Sequence, residues 1–301
     1  MRTVLVAGGV NLLIAVAKTA AGMLSGSSAL LAEAAHSVAD TLNQVFLFTA
    51  LRRSARPADA EHQFGYGAER YFWALLAAVG IFVLGAGFSI LEGVQAILHP
   101  QPLTELVVAY LVLALSFALE GTSWLRALGQ VHREAGQAGV GTMEHLRSMS
   151  DPTAKTVAFE DTAALIGILL ATAGLTLHAI TGVGWWDGAA SIAIGVLLVV
   201  TAQALGRENK ENLIGRSVPA DVQRAIRDII VDSPGVDSVV ELMTLRLGPG
   251  EVLVAARVDI DDKISGGTVE KQAETVDQRL RARFPEVTHV FLDPTDAPPP
   301  R

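Results

Sequence analysis

The sequence contains no cysteine among its 301 residues. That absence excludes disulfides, thiolate metal sites and cysteine nucleophiles, so any metal ion must be bound by His, Asp or Glu with help from other oxygen ligands. Charge is also scarce, because Asp, Glu, Lys and Arg make up only 18% of the chain, against about 25% in soluble globular proteins. Together with a hydrophobic content of 50%, this deficit is typical of a membrane protein.

Several functional motifs are missing as well. The net charge is −8, so the chain lacks the basic excess that nucleic-acid binding requires. The patterns H-E-x-x-H, G-x-x-x-x-G-K and G-x-S-x-G do not occur, which leaves a zinc protease, a P-loop nucleotide site and a serine hydrolase without their motifs. We therefore expect no enzyme activity.

Six apolar stretches precede residue 207, and each reaches the roughly 20 residues that a helix needs to cross a bilayer. They lie at residues 3–24, 28–51, 71–98, 103–128, 157–181 and 185–206. The sequence therefore predicts an all-α membrane bundle of six transmembrane helices over residues 1–207. The first stretch shows no signal-peptide cleavage pattern, so we interpret it as a retained span.

The positive charges indicate an orientation for this bundle. Lys and Arg are concentrated in or beside residues 52–70 and 126–155, whereas the links 24–28, 99–103 and 181–185 contain none. Because positively charged loops stay in the cytoplasm, we expect a multi-pass protein of the cell (inner) membrane with both termini cytoplasmic.

Residues 208–301 have the composition of a small soluble domain. A helix is predicted after Pro219, followed by strands at 236–247 and 252–260, a helix at about 267–283 and a last strand at 287–292. This αββαβ order predicts a cytoplasmic α+β domain of the ferredoxin-like type, which we expect to serve dimerisation.

The chemistry is concentrated in the second and fifth spans. His36 and Asp40 are four residues apart on one helix face, and an imidazole with a carboxylate is a ligand pair that zinc accepts. A mid-membrane site needs ligands from another helix, and Glu160 and Asp161 begin the fifth span. Neighbours are about 100° apart on a helix, so we choose Asp161 as the ligand, with Glu160 completing the shell or accepting a proton.

Other ionisable residues are weaker candidates. Lys18 is expected to pair with a carboxylate or to lie near the outer interface, and Glu92 and Glu120 are candidate proton-relay groups. Asp187 is expected to be solvated near the outer surface. Asp59 and His62, three residues apart in the link after the second span, could bind a second ion or simply form a solvated turn.

Four segments resemble the cation diffusion facilitator family. Residues 26–40 (GSSALLAEAAHSVAD) resemble its second-helix signature, and residues 56–70 (RPADAEHQFGYGAER) resemble its next motif. Residues 151–153 (DPT) and 160–164 (EDTAA) resemble the branch that includes the mitochondrial zinc transporter nine type.

The resemblance implies a homodimer in a lipid bilayer that exports a divalent metal ion in exchange for protons. It also implies two metal ligands on helix two and two on helix five, of which His36, Asp40 and Asp161 match three. The fourth falls at Val157, where zinc-exporting relatives usually carry histidine. We therefore expect Glu160 or a water molecule to supply the fourth ligand. Tail positions that hold metal in relatives carry other residues here, so we expect no metal pair in residues 208–301.

The transported ion is expected to be zinc, with H⁺ as counter-ion, and the carboxylate-rich ligand set leaves Mn²⁺, Co²⁺ or Fe²⁺ open. An alternative stays open too. The departure at Val157 and the single tail histidine, His289, are also consistent with a membrane-anchored metal sensor or interaction protein that has lost transport.

Overall fold

The structure is a computed structural model that describes residues 2–139, 141, 152–261 and 266–296. It divides into two compact units. One comprises the chain up to Arg53 together with Tyr71–Lys210, and the other comprises Ser54–Arg70 together with Glu211–Arg301. The predicted assignment of residues 1–207 to transport and 208–301 to dimerisation stays a prediction.

The first unit consists of six long helical segments, in agreement with the predicted bundle. Their bounds are α1 Arg2–Ser25, α2 Ser28–Ser54, α3 Glu69–Gly80 continued by a π-helical segment Ile81–Gly87 and α4 Phe88–Leu98, α5 Leu106–Ala138, α6 Pro152–Thr181 and α7 Trp185–Leu213. Within the described residues, five of the six segments are long and apolar enough to cross a membrane. The sixth, α2, is 27 residues long but carries the polar side chains of the candidate site.

The turn between α1 and α2 fixes where α2 begins. Gly26 has a positive φ of 71° and its N–H donates to the carbonyl of Gly22 at 3.0 Å, which is how glycine commonly ends a helix. Thr104, from the link before α5, donates its N–H to the Ser25 carbonyl at 3.0 Å. The entry to α2 is therefore held by its neighbours in the chain and by a distant segment.

Helices α4 and α7 approach each other through glycine. A Cβ on Gly93 would lie 2.6 Å from the carbonyl oxygen of Gly188, and a Cβ on Gly195 would lie 3.1 Å from the backbone nitrogen of Ile90. Small residues let membrane helices pack backbone to backbone. The spacing of Gly188 and Gly195, seven residues apart on one face of α7, could have revealed this contact from the sequence.

The second unit contains the predicted αββαβ domain. Its elements are α8 Ala220–Val231, β1 Val236–Gly248, β2 Glu251–Ile260, α9 Gly266–Arg283 and β3 Val287–Pro294. The sheet order is β1-β2-β3, with β1 and β2 antiparallel and β2 and β3 parallel. The apolar stripes of the two helices bury Ile226, Ile230, Val276 and Leu280 in one core with the sheet.

Candidate metal centre in the helical bundle

His36 and Asp40 lie on the inner face of α2. Their side chains are 1% and 16% exposed, and 3.7 Å separates His36 Nδ1 from Asp40 Oδ1. Among the described residues, both ring nitrogens of His36 and the Asp40 Oδ1 atom are buried without a hydrogen-bond partner. Such orphaned atoms are costly in a dry bundle, and lone pairs without donors are what a cation would satisfy.

The carboxylates of α6 lie close to this pair but are held by other residues. The Asn43 amide donates to both oxygens of Glu160, at 2.7 and 2.6 Å, and the Ser123 hydroxyl donates to Asp161 Oδ2 at 3.0 Å. Glu160 and Asp161 both interact electrostatically with Asp40. The structure thus brings the α6 carboxylates within electrostatic range of Asp40 while each is hydrogen-bonded elsewhere.

The predicted ligands do not yet form a compact shell. Within the described part of the chain, no three His, Asp or Glu side chains converge closely enough to hold a metal ion. The side chain of Val157, the position where relatives usually carry histidine, lies outside what the structure describes. The assignment of His36, Asp40, Glu160 and Asp161 as ligands therefore stays a prediction.

Lys18 pairs with carboxylates, which was one of the two expectations for this residue. Its Nζ donates to Glu33 Oε2 at 3.0 Å and to Glu120 Oε1 at 2.9 Å, and both Lys18 and Glu33 are fully buried. The contact joins α1, α2 and α5. On the α6 side, a Cβ added to Gly167 would collide with Glu33 Oε1, so glycine there makes room for the carboxylate.

Gly167→Ala should accordingly destabilise the bundle. The new methyl group has to displace Glu33 or its own helix, and overpacking of this kind costs about 1–3 kcal/mol. The measurement is unfolding of the purified protein in detergent. The matched control is Gly121→Ala on α5, whose Cβ would make an ordinary 3.9 Å contact with Leu165, and equal stability of the two variants would contradict the prediction.

Asp187 corrects the expectation of a solvated residue, since it is only 2% exposed. From the first turn of α7 its carboxylate accepts hydrogen bonds from the backbone N–H of Ser28 at 2.5 Å and from the hydroxyls of Ser27 and Ser28 at 2.7 and 2.8 Å. It therefore caps the start of α2 from another helix, where the helix dipole favours a negative charge. Sequence reasoning missed this role because the partners are about 160 residues apart.

The Asp59 and His62 pair lies in an exposed turn of the second unit. Asp59 Oδ1 accepts hydrogen bonds from the backbone N–H groups of Glu61 and His62, at 3.0 and 2.8 Å, and its Oδ2 accepts one from the Tyr66 hydroxyl at 2.6 Å. The ring centroids of His62 and Tyr66 are 4.3 Å apart. Because both Asp59 oxygens already have donors, the geometry favours the turn, and metal binding there stays a prediction.

The hydroxyl of Tyr66, with help from the His62 amide, lowers the pKa of Asp59. This hydrogen bonding therefore stabilises the turn above the ordinary Asp pKa and is lost as the pH falls through the lowered value. In Tyr66→Phe the pKa of Asp59 should rise toward its ordinary value. Carboxyl ¹³C NMR titration of aspartate-labelled protein would measure the shift, Tyr110→Phe is the control outside the loop, and an unmoved Asp59 titration would contradict the account.

In the C-terminal tail, polar side chains that could approach a metal ion make other contacts. Arg257 Nε lies 3.2 Å from Asp293 Oδ2 in a solvent-exposed ion pair. The ring of His289 makes an edge contact with Phe64, with 5.3 Å between centroids, and its Nδ1 lies 3.0 Å from the Thr288 hydroxyl. The expectation that residues 208–301 hold no metal pair stays a prediction.

Known proteins resemble this chain along most of its length. Residues 4–214 match the cation efflux transmembrane domain and residues 218–293 match the cation efflux protein cytoplasmic domain. The human proton-coupled zinc antiporter SLC30A9, mitochondrial, is 34% identical over 97% of this chain and 52% of its own length. The cation-efflux pump FieF of Pectobacterium atrosepticum is 29% identical over 96% of this chain and 91% of its own length.

The chain spans about half the length of the SLC30A9 relatives. A solved structure of the MamM CTD covers 25% of this chain and 95% of its own, at 16% identity and a TM-score of 0.24, a similarity too low to bear on the fold. The two domain matches together cover far more than half of the sequence. The chain therefore belongs to the cation efflux, or cation diffusion facilitator, family, in the branch of the SLC30A9 type.

Proposed function

We propose that this protein is a homodimeric transporter that exports a divalent metal ion, zinc in particular, in exchange for protons. The observation that carries the proposal is the pair of orphaned ring nitrogens on His36 beside the unpartnered oxygen of Asp40. Two relatives support it by name, one as a proton-coupled zinc antiporter and one as a cation-efflux pump.

The charge balance of the bundle supports a cation as cargo. Five carboxylates, of which Lys18 pairs with two, lie in or near the buried region around His36. They are Glu33, Asp40, Glu120, Glu160 and Asp161. An excess of negative charge in a low-dielectric bundle is costly unless cations or protons neutralise it. A doubly charged ion supplies that neutralisation in one step.

Exchange with protons follows from the ligand chemistry. A metal ion binds deprotonated imidazole and carboxylate groups, so metal and protons compete for the same side chains. In the proposed cycle the ion binds from the cytoplasm, the bundle rocks to expose the site to the other side, and protons displace the ion there. The hydrogen bonds from Asn43 to Glu160 and from Ser123 to Asp161 are the contacts that must rearrange when the ligands gather around the ion.

We also propose that both termini face the cytoplasm and that residues 208–301 contribute the dimer contact. The one-sided distribution of Lys and Arg supports the orientation, and the match to the cation efflux cytoplasmic domain supports the dimer. Cross-linking between introduced cysteines can test the dimer contact, because this sequence contains no other cysteine that would react.

The decisive experiment is zinc flux into proteoliposomes that contain the purified protein and an internal zinc dye, with an imposed pH gradient. Transport that rises with the gradient supports the antiporter. Binding without flux would overturn it in favour of a metal sensor. Repeating the assay with Mn²⁺, Co²⁺ and Fe²⁺ in competition identifies the preferred ion.

A further inference from the structure

A second buried cluster lies beside the candidate metal ligands and is not needed for metal binding. Lys18 on α1, Glu33 on α2 and Glu120 on α5 form a triad in which one ammonium contacts both carboxylates, at 3.0 and 2.9 Å. Lys18 and Glu33 are fully buried, and the Glu120 side chain is 14% exposed. The three helices thus meet through ionisable side chains, which are rare in membrane spans and mark ion or proton pathways.

The triad is unbalanced in charge and in hydrogen bonds. Each carboxylate uses one oxygen on Lys18, while Glu33 Oε1 and Glu120 Oε2 are buried without a partner in the described part of the chain. With both glutamates ionised, the triad would carry one uncompensated negative charge. A proton on one carboxyl group removes that charge, and the resulting acid O–H can donate a hydrogen bond.

Among the groups that act most strongly on Glu33 in the described part of the chain, Lys18 is the one lysine or arginine. Besides Lys18, the titratable groups that interact with Glu33 include His36 and Asp40 on its own helix and Glu120 on α5. From α6, Glu33 meets the uncharged Gly167. Glu120 interacts with Asp40 and Asp161 as well, so its surroundings are more acidic still.

The position of the triad connects it to the metal ligands. Glu33 precedes His36 by three residues, so the two side chains lie about one helical turn apart on the same face, roughly 5–6 Å between Cβ atoms. Glu33 lies on the Ser28 side of His36, and in the proposed orientation that end of α2 faces the outside. A proton entering from outside would therefore reach Glu33 before His36.

We propose that the Lys18–Glu33–Glu120 triad is a proton-binding site, separate from the metal ligands, that carries one of the exchanged protons. When a divalent ion enters beside His36 and Asp40, its charge favours the ionised triad, and one carboxyl group releases its proton to leave a carboxylate. When the ion leaves, a proton rebinds. Metal ion and proton then compete in two ways: electrostatically, from separate sites, and for the same ligands. This inference rests on the proposed antiport.

The test is the number of protons moved per zinc ion in proteoliposomes that contain a pH dye and a zinc dye. Glu120→Gln keeps a side chain that can accept from Lys18 but cannot ionise, so the remaining Lys18–Glu33 pair is neutral without a bound proton. The ratio should fall by about one proton per zinc ion, with zinc flux retained at saturating gradient. Glu120→Asp, which can titrate, should restore the ratio.

Controls separate this inference from the function on which it rests. Glu105→Gln, at an exposed glutamate in the link before α5 and outside the triad, should leave the ratio unchanged. If Glu120→Gln does not fold, Glu33→Gln is measured instead, with the same expectation. Absence of zinc flux in the natural protein overturns the antiport itself. Natural flux with an unchanged ratio in the glutamine variants overturns only the triad.

Discussion

Asp40→Ala is expected to abolish zinc transport, with a loss on the order of 100-fold or more. Changes to residues that merely support metal ligands cost about 10–100-fold, and this change removes one of the proposed ligands itself. It also leaves His36 without the carboxylate whose oxygen lies 3.7 Å from its ring. The measurement is zinc flux and coupled proton movement in proteoliposomes.

The matched control is Thr41→Ala, one residue further along α2. Its hydroxyl donates to the Ser37 carbonyl of the same helix at 2.8 Å, so its removal should leave flux close to that of the natural protein. Asp40→Ala should also keep its fold, because Asp40 Oδ1 has no hydrogen-bond partner to lose. If zinc flux continued in folded Asp40→Ala protein, the α2 site would not be the transport site.

Lys18→Met is expected to cause the largest loss of stability, about 3–5 kcal/mol, which is typical when one partner of a buried ion pair is removed. The variant keeps the apolar stem of the side chain but leaves Glu33 and Glu120 facing each other without a cation. Unfolding of the purified protein by a denaturing detergent would measure the loss.

A second substitution distinguishes charge from packing. In Lys18→Met combined with Glu33→Gln, only one ionisable group of the triad remains, and removing both members of a buried pair is far less damaging than removing one. We expect the double variant to regain much of the stability. If Lys18→Met alone were as stable as the natural protein, the 3.0 Å contact would not represent a working ion pair.

What could be predicted from the sequence was local. The spacing of His36 and Asp40, the apolar lengths of the spans and the αββαβ order of the tail depend on residues close in the chain, and the structure contains these elements as predicted. The prediction that Lys18 pairs with a carboxylate was also confirmed, although its two partners were not identified from the sequence.

The contacts between distant helices could not be predicted. Asp187 on the start of α2, Asn43 on Glu160 and Lys18 on Glu120 all join residues more than 100 positions apart. Which side chains meet across a bundle depends on how each helix is rotated about its axis, and interhelical packing sets that rotation. The sequence around Asp187 does not distinguish a buried carboxylate from a solvated one, because its hydrogen-bond partners lie far away in the chain.

The segment between α2 and α3 has a practical consequence for work on the second unit. Residues 54–70 belong to the same compact body as residues 211–301, Phe64 touches His289, and a Cβ on Gly67 would collide with Gly248. A soluble fragment cut from position 208 onward therefore lacks residues 54–70 of this compact unit, and the surface that these residues cover becomes exposed. Dimer strength and metal affinity measured on such a fragment describe an incomplete body, and joining residues 54–70 back to it by a flexible linker would restore the native surface.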